Sequence, residues 1–140
     1  MTRSKTAAMI CHGLAIFPML MGGLVYALRD SYMSYHAAAT NYDWQELKPG
    51  MQMLFRAMLN GAGSLMLLIA LILILLLFIP FRASERWSFW AIPLIGISAI
   101  LIPLRAAVLI DLNTHANPPW LWLLLVIGLF LSGLALSYKK

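Results

Sequence analysis

Residues 67–79 read Leu-Leu-Ile-Ala-Leu-Ile-Leu-Ile-Leu-Leu-Leu-Phe-Ile, and this stretch decides the fold. It lies inside a run of 25 residues, from Ala57 to Phe81, that contains no charged side chain. A helix that is apolar on every face is stable inside a large protein or in a lipid bilayer, and a chain of 140 residues is too short to surround it. Because about 20 apolar helical residues cross a hydrocarbon core of about 30 Å, the stretch predicts a transmembrane helix.

The composition of the whole chain also indicates a membrane protein. Hydrophobic residues make up 62% of the chain and charged residues 11%, whereas soluble domains carry about 25% charged residues. The net charge is +5, but the basic residues lie in short clusters between apolar runs, so we expect no nucleic-acid partner. The single cysteine, Cys11, excludes an intramolecular disulfide and a Cys-x-x-Cys redox pair.

Three further apolar runs bring the predicted number of spans to four. The first run exceeds the apolar core of a signal peptide, about 7–15 residues, so we expect it to be retained as a span. We find no internal repeat and no linker, and we expect residues 1–140 to form a single integral membrane domain. The predicted class is all-α, an antiparallel bundle of four transmembrane helices. The predicted spans are residues 7–28, 51–79, 87–110 and 119–137.

Residues 29–50 form the longest polar segment between spans. Asp43 and Glu46 have the spacing of a capping box, which predicts a short helix that lays Trp44 on the membrane surface. Pro93 or Pro103 should bend the third span, since proline removes a backbone donor. Small residues that allow close helix contact also recur in the first two spans. They are Gly22, Gly23, Gly61 and Gly63.

The positions of lysine and arginine predict the orientation. One side of the predicted bilayer carries Arg3, Lys5, Arg82, Arg86, Lys139 and Lys140. The other side carries Arg29 and Lys48, with Arg56 near its boundary. Cytoplasmic flanks are enriched in basic residues, so we expect both termini in the cytoplasm and residues 29–50 and 111–118 outside. The small size and compact loops favour a bacterial inner membrane.

Polar residues near the outer ends of the spans form the first candidate site. Arg105 is the single charge within the third span, and Arg56 and Asn60 share one face of the second span. Three more polar candidates are predicted just above them: His36, Asp111 and His115. A charge at the centre of a bilayer costs at least about 2.5–3.5 kcal/mol, so such an arginine needs a partner.

Two interpretations of these residues remain open. In the structural one, Arg105 pairs with Asp111 or with a carbonyl freed by Pro103, and Arg56 reaches a headgroup phosphate. In the functional one, the two arginines hold an anionic ligand such as a lipid phosphate or a carboxylate. Under either, we expect the guanidinium of Arg105 to point into the bundle, near Arg56, Asn60 or the turn at 111–115.

No cofactor and no metal site are predicted. A membrane haem usually needs two axial ligands at one depth, whereas His12 lies near the cytoplasmic end and His36 and His115 lie outside. Thioether and imidazole ligands suit Cu(I), and Met33 precedes His36 by one helical turn. Nine methionines in an apolar chain chiefly fill the core, however, so copper handling is kept as a minor alternative.

Residues 55–60, Phe-Arg-Ala-Met-Leu-Asn, are similar to the Arg-Ala-x-x-Asn stretch in the second helix of the membrane-associated eicosanoid and glutathione enzymes. Those enzymes are also small four-helix membrane proteins. The chain departs from their pattern at 61–63, where Gly-Ala-Gly stands near the position of the family's acid, and in the third span, which is not rich in Arg and Tyr. We therefore do not assign the chain to that family.

The sequence favours a non-enzymatic role, as an accessory or oligomer-forming subunit that packs through its helices. The alternative is a lipid- or small-anion-binding protein or enzyme with a site at the outer leaflet. A transporter is a third hypothesis, although the sequence shows no paired broken helices or midplane acids. The expected partners are the lipid bilayer, further copies of the chain or a larger membrane complex, and an anionic lipid.

Overall fold

The computed structural model of the chain describes residues 3–139, and these residues form helices without strands. The helices are α1 (Arg3–Leu28), α2 (Ser34–Thr40), α3 (Pro49–Leu76), α4 (Arg86–Asn113) and α5 (Trp120–Ser137). A 3-10 turn (Trp44–Glu46) precedes α3, and a π-helical segment (Leu77–Phe81) continues it. Four elements, namely α1, α3 with its π-helical extension, α4 and α5, are long and apolar enough to cross a membrane. The predicted all-α class with four spans is confirmed.

The four spanning helices form an antiparallel bundle in which sequence neighbours are also spatial neighbours. α1 packs between α3 and α5, and α4 completes the ring by packing on α5 and α3. This is the arrangement that short connections between successive helices favour. Buried side chains from all four helices form one core. They include Met19, Leu73, Ile92 and Phe130.

Two of the glycines identified in the sequence bring α1 and α3 into close contact. A Cβ atom at Gly63 would lie 2.3 Å from the backbone nitrogen of Ala27, and one at Gly23 would lie 2.9 Å from that of Leu67. Backbone atoms cannot move aside as a flexible side chain can, so glycine is required at both positions. A Cβ atom at Gly61 would meet nothing within 4 Å. The predicted close contact is therefore confirmed for Gly23 and Gly63, and the fold of this chain does not use Gly61.

The end of the second span differs from the prediction. The helix does not stop near residue 79 but continues as a π-helical turn through Phe81. Pro80 has no N–H, and its ring would clash with the carbonyl four residues earlier in α-helical geometry. The wider π turn relieves this conflict, and the backbone nitrogen of Glu85 donates to the Pro80 carbonyl over 2.9 Å. As a result, the side chain of Phe81 is fully buried in the bundle.

Residues 29–48 fold over one end of α1 and α3, and we call this the capped end. The opposite end carries residues 82–85 and is called the terminal end, because α1 begins and α5 ends there: the Ser4 hydroxyl donates to the Leu136 carbonyl over 2.6 Å. At the capped end, the predicted capping pair is present, with the Asp43 backbone nitrogen donating to Glu46 Oε2 over 2.8 Å. It starts a single 3-10 turn. Helix α2 was not predicted.

Candidate functional site

Aromatic rings hold the polar segment against the capped end of the bundle. Tyr32 is buried, and its ring meets the rings of Trp44 and Phe55 edge-on, with centroids 5.0 and 5.6 Å away. The Tyr32 hydroxyl also donates to the backbone carbonyl of Tyr42. These contacts fix residues 29–48 on α3, so the side chains carried by this segment have defined positions.

His36 is one of the predicted site residues, and it lies inside this cap. Its ring lies against that of Tyr35, with centroids 4.1 Å apart and planes tilted by 41°, and it meets the ring of Tyr26 edge-on. His36 Nδ1 accepts a hydrogen bond from the Met33 backbone nitrogen over 3.1 Å, at the start of α2. Burial and the nearby Arg29 guanidinium lower the pKa of His36. The imidazole therefore acts as a neutral acceptor that begins the helix.

Tyr35 and Tyr26 share a hydrogen bond between their hydroxyl groups. Burial, followed by this hydrogen bond, raises the pKa of Tyr35. The phenol consequently stays protonated and links the cap to α1. It does not supply a phenolate for catalysis.

Arg56 and Asn60 lie on one face of α3, and both hold the end of α1. The Arg56 guanidinium donates to the Asp30 carbonyl from Nε and Nη2, over 3.2 and 3.1 Å, and Nη2 lies 3.4 Å from the Asp30 carboxylate. With its amide nitrogen turned toward α1, the orientation that hydrogen bonding favours, Asn60 donates to the carbonyls of Tyr26 and Arg29 over 3.0 and 3.1 Å. Asn60 thus satisfies a carbonyl in the last turn of α1 and the one that follows the helix, and Arg56 holds the chain two residues after its end.

Arg105 does not point toward this group. Its side chain is exposed on α4, on the side of the helix away from the buried residues Ile100 and Ala107. Within residues 3–139, no hydrogen bond or ion pair joins Arg105 to another side chain or carbonyl. The hypothesis that its guanidinium points into the bundle is therefore wrong. Because successive residues of α4 are rotated by about 100°, Arg105 faces outward while Ile100 and Ala107 face the core.

Asp111 and His115 lie near the capped end of α4. Asp111 is half-buried, and among the described residues it forms no ion pair with Arg105, which was one of the two partners that the structural interpretation offered for that arginine. His115 is exposed in the turn before α5. It lines a groove of about 350 Å³ together with α2 and the end of α4. We call this groove the α2–α4 groove, and its lining residues are Ala38, Ala39, Asn41, Leu112, Asn113, Thr114 and His115.

The structure therefore divides the six predicted site residues into two groups. His36, Arg56 and Asn60 are engaged in holding α1, α2 and α3 together at the capped end. Arg105, Asp111 and His115 belong to the capped half of α4 and the turn that follows it. Between residues 3 and 139, no group of three or more His, Cys, Asp or Glu side chains is placed to hold a metal ion.

Sequence reasoning missed the packing role of His12. Its side chain is fully buried in the terminal half of the bundle, with its ring 5.5 Å from that of Phe81 and 6.0 Å from that of Phe130. Neither ring nitrogen has a hydrogen-bond partner among the described residues. An unpaired buried polar atom costs about 1–3 kcal/mol, so this position is energetically unusual. The available signal was the helical spacing that His12 shares with other buried residues of α1. These are Ala8, Ala15 and Met19.

No family model, no curated protein and no solved structure matches the chain. The similarity of residues 55–60 to the membrane-associated eicosanoid and glutathione enzymes gains no support from these comparisons. In this chain, the two polar residues of that stretch, Arg56 and Asn60, bind backbone carbonyls at the end of α1 and in the two residues that follow it. The four long apolar helices indicate that the chain is an integral membrane protein.

Proposed function

We propose that the chain is a non-enzymatic membrane subunit that assembles with further copies of itself through the exposed face of α3. The observation that carries this proposal is Gly61. It is exposed in the middle of a spanning helix, and a Cβ atom there would meet nothing within 4 Å. Glycine inside a helix is less favourable than alanine by about 1 kcal/mol, and its usual use in a membrane is to let another helix approach closely.

Other glycines of the bundle serve contacts within the chain. A Cβ atom at Gly96 would lie 2.3 Å from the ring of Phe130, and one at Gly133 would lie 2.5 Å from the ring of His12. Gly23 and Gly63 have the corresponding function between α1 and α3. Gly61 has no such use inside the chain, and we propose that a contact outside the chain accounts for it. Gly128 on α5 is open in the same way, so α5 is the alternative contact face.

The surface around Gly61 suits a helix from a second copy. Ala57 and Ser64 are also exposed and share the helical face of Gly61, so the α3 backbone is open to close approach near the capped end. Toward the terminal end the same face carries Leu68 and Leu75. Two copies inserted with the same orientation can pack these faces together around a two-fold axis along the membrane normal. This symmetry places Gly61 of one copy opposite Gly61 of the other, at the same depth in the membrane.

The polar residues of the capped end support a structural role. Two of them, Arg56 and Asn60, bind backbone carbonyls at and just after the end of α1, and His36 accepts a hydrogen bond at the start of α2. These side chains are therefore used within the fold. The proposed membrane is a bacterial inner membrane, with the capped end outside. This orientation is supported by the distribution of basic residues, of which six flank the spans on the terminal side, while the capped side has Arg29 and Lys48 in its connecting segment and Arg56 and Arg105 within its helices.

The proposal is tested by measuring self-association in a bilayer. Donor- and acceptor-labelled copies are reconstituted together in liposomes, and energy transfer is followed as the protein is diluted with lipid. We expect transfer for the wild type and a loss of about tenfold or more in association for Gly61→Leu, since leucine keeps the helices apart. The comparison variant is Gly128→Leu, at an exposed glycine on α5 that is equally open, and it should associate like the wild type. Loss of association in Gly128→Leu with normal association of Gly61→Leu would place the contact on α5 and overturn the proposal. A monomeric wild type, or equal transfer from Gly61→Leu and the wild type, would overturn the proposal.

A further inference from the structure

Arg105 is a charged side chain in a spanning helix that the described chain leaves without a partner. α4 has 28 residues, which makes it about 42 Å long, whereas the hydrocarbon core is about 30 Å thick. Arg105 lies two turns before the end of α4 at Asn113, which is about 12 Å along the axis. With α4 extending past both interfaces, Arg105 sits in the outer part of the hydrocarbon at its capped side. From there a long arginine side chain reaches the headgroup region.

The negative charge that Arg105 needs does not come from the two nearest protein sources. Asp111 is the acid of α4, but it lies about 120° around the helix from Arg105, and the two side chains form no ion pair. A second copy docked symmetrically on this face would bring two Arg105 side chains together, and like charges at this depth repel. The remaining anion at this depth is the phosphate of a phospholipid.

A polar groove lies directly above Arg105 along the same side of α4. Leu112 is two turns further along, within about 20° of the direction of Arg105, and it lines the α2–α4 groove. The groove has a volume of about 350 Å³, which lies in the range of about 300–1,000 Å³ that small-molecule sites occupy. Its position fits a headgroup whose phosphate is held below by Arg105.

The polar side chains of the groove offer both hydrogen-bond donors and acceptors. Asn113 Nδ2 donates to the Leu109 carbonyl and Thr114 Oγ1 to the Ile110 carbonyl, each over 2.7 Å. One N–H of the Asn113 amide is therefore used within α4, while its second N–H and its oxygen remain for a ligand. A headgroup that carries N–H or O–H donors, such as ethanolamine or glycerol, satisfies this acceptor while its phosphate accepts from the guanidinium.

We propose that Arg105 and the α2–α4 groove bind one phospholipid with a donor-bearing headgroup in the leaflet at the capped end. Arg105 holds the phosphate, and Asn113 with His115 and Asn41 contacts the headgroup. The site is on α4 and the proposed contact between copies is on α3, so each proposal stands or fails without the other. Arg105 would then be the residue that fixes the depth and rotation of α4 in the membrane.

The full-length protein, purified in a mild detergent, is supplied with phosphatidylglycerol or phosphatidylethanolamine and examined by native mass spectrometry. We expect one retained phospholipid per chain on the wild type and at least a tenfold weaker apparent affinity for Arg105→Leu. The matched control is Arg82→Leu, an exposed arginine at the terminal end, which should retain the lipid. Asn113→Ala should reduce the preference for these lipids over phosphatidylcholine, whose choline has no N–H donor.

Three results would overturn the lipid site. The first is equal retention of lipid by Arg105→Leu and the wild type, with circular dichroism showing both folded. The second is displacement of the lipid by inorganic phosphate, which would identify a free-anion site instead. The third is loss of binding in Arg82→Leu to the same degree, which would show general charge attraction. If Arg105→Leu fails to fold, Arg105→Gln and Arg105→Lys replace it, and only the lysine variant should retain measurable binding.

Discussion

The imidazole of His12 on α1 occupies the space that Gly133 on α5 leaves by having no side chain. A Cβ atom at Gly133 would lie 2.5 Å from His12 Cε1 and 2.7 Å from Nδ1. Phe81, carried inward by the π-helical turn, meets the same ring edge-on at 5.5 Å. One polar ring thus joins α1, α5 and the end of the second span, and the fit between His12 and Gly133 sets how closely these helices pack.

Replacing Gly133 with alanine should lower stability, because the new methyl group would collide with a ring that is enclosed on all sides. Overpacking of a core typically costs about 1–3 kcal/mol. Thermal unfolding of the purified protein in detergent measures the effect. The matched control is Gly128→Ala, where a Cβ atom meets nothing within 4 Å. If the Gly133→Ala and Gly128→Ala proteins unfold at the same temperature, α1 and α5 are further apart than the structure describes.

Removing the polar atoms of His12 should raise stability. His12→Leu replaces the ring with an apolar side chain of similar size and eliminates two buried nitrogens that have no partner among the described residues. We expect the free energy of unfolding to rise by about 1–3 kcal/mol, reduced by the stabilisation that the lost aromatic contacts supplied. Chemical denaturation in detergent gives the difference, with exposed His115→Ala as the comparison. A marked loss of stability in His12→Leu would mean that the imidazole makes a polar contact in the membrane.

The four spans were predictable because their signal is local and large. A run of about 20 apolar residues is long enough to cross a bilayer whatever its neighbours do, and a close contact at Gly23 and Gly63 followed from small residues alone. Helix α2 (Ser34–Thr40) was missed because it has about two turns and lies in a polar segment, where no regular spacing of apolar residues indicates a helix. The π-helical turn was also missed, because Pro80 indicates an interruption and does not specify which geometry replaces the α-helix.

The placement of the site residues was less predictable, and Arg105 shows why. A helix that is apolar on most sides gives no periodic signal for the direction of the core, so the sequence alone does not say whether a lone arginine faces inward. Arg56 and Asn60 were correctly placed on one face of α3 by their spacing. Their actual partners, the carbonyls of Asp30, Arg29 and Tyr26, are backbone atoms at the end of α1 and just after it, which no side-chain pattern reveals.

Acid should loosen the cap through His36. Burial and the Arg29 guanidinium lower its pKa in the folded protein, while the unfolded value is about 6.5. The neutral ring therefore contributes stability that is present above about pH 6.5 and is lost as the pH falls through the lower folded-state pKa. Protonation also removes Nδ1 as the acceptor for the Met33 nitrogen. Other charged or titratable groups beside this ring are Arg29, Tyr26, Tyr32 and Tyr35.

Hydrogen exchange of residues 33–48, corrected for the intrinsic effect of pH, measures this loosening. Protection should fall in the wild type between about pH 6.5 and 5, the range in which an ordinary histidine gains its proton. The His36→Gln variant should show no such change, and His115→Ala should behave as the wild type, since that residue is exposed in the turn before α5. Constant protection of the wild type across this range would exclude His36 as the group responsible.

The terminal end should face the cytoplasm, and the capped end should face outside. This follows from the six basic residues that flank the spans at the terminal end, against four on the capped side, of which two, Arg56 and Arg105, lie within helices. Single-cysteine variants in a Cys11→Ser background test it, because the native chain has one cysteine to remove. Ser84 and Asn117 are exposed at opposite ends of the bundle. In intact cells, a membrane-impermeant maleimide should label Asn117→Cys readily and Ser84→Cys only after the membrane is opened. Labelling of Ser84→Cys from outside would reverse the topology, and it would move the proposed lipid site to the inner leaflet.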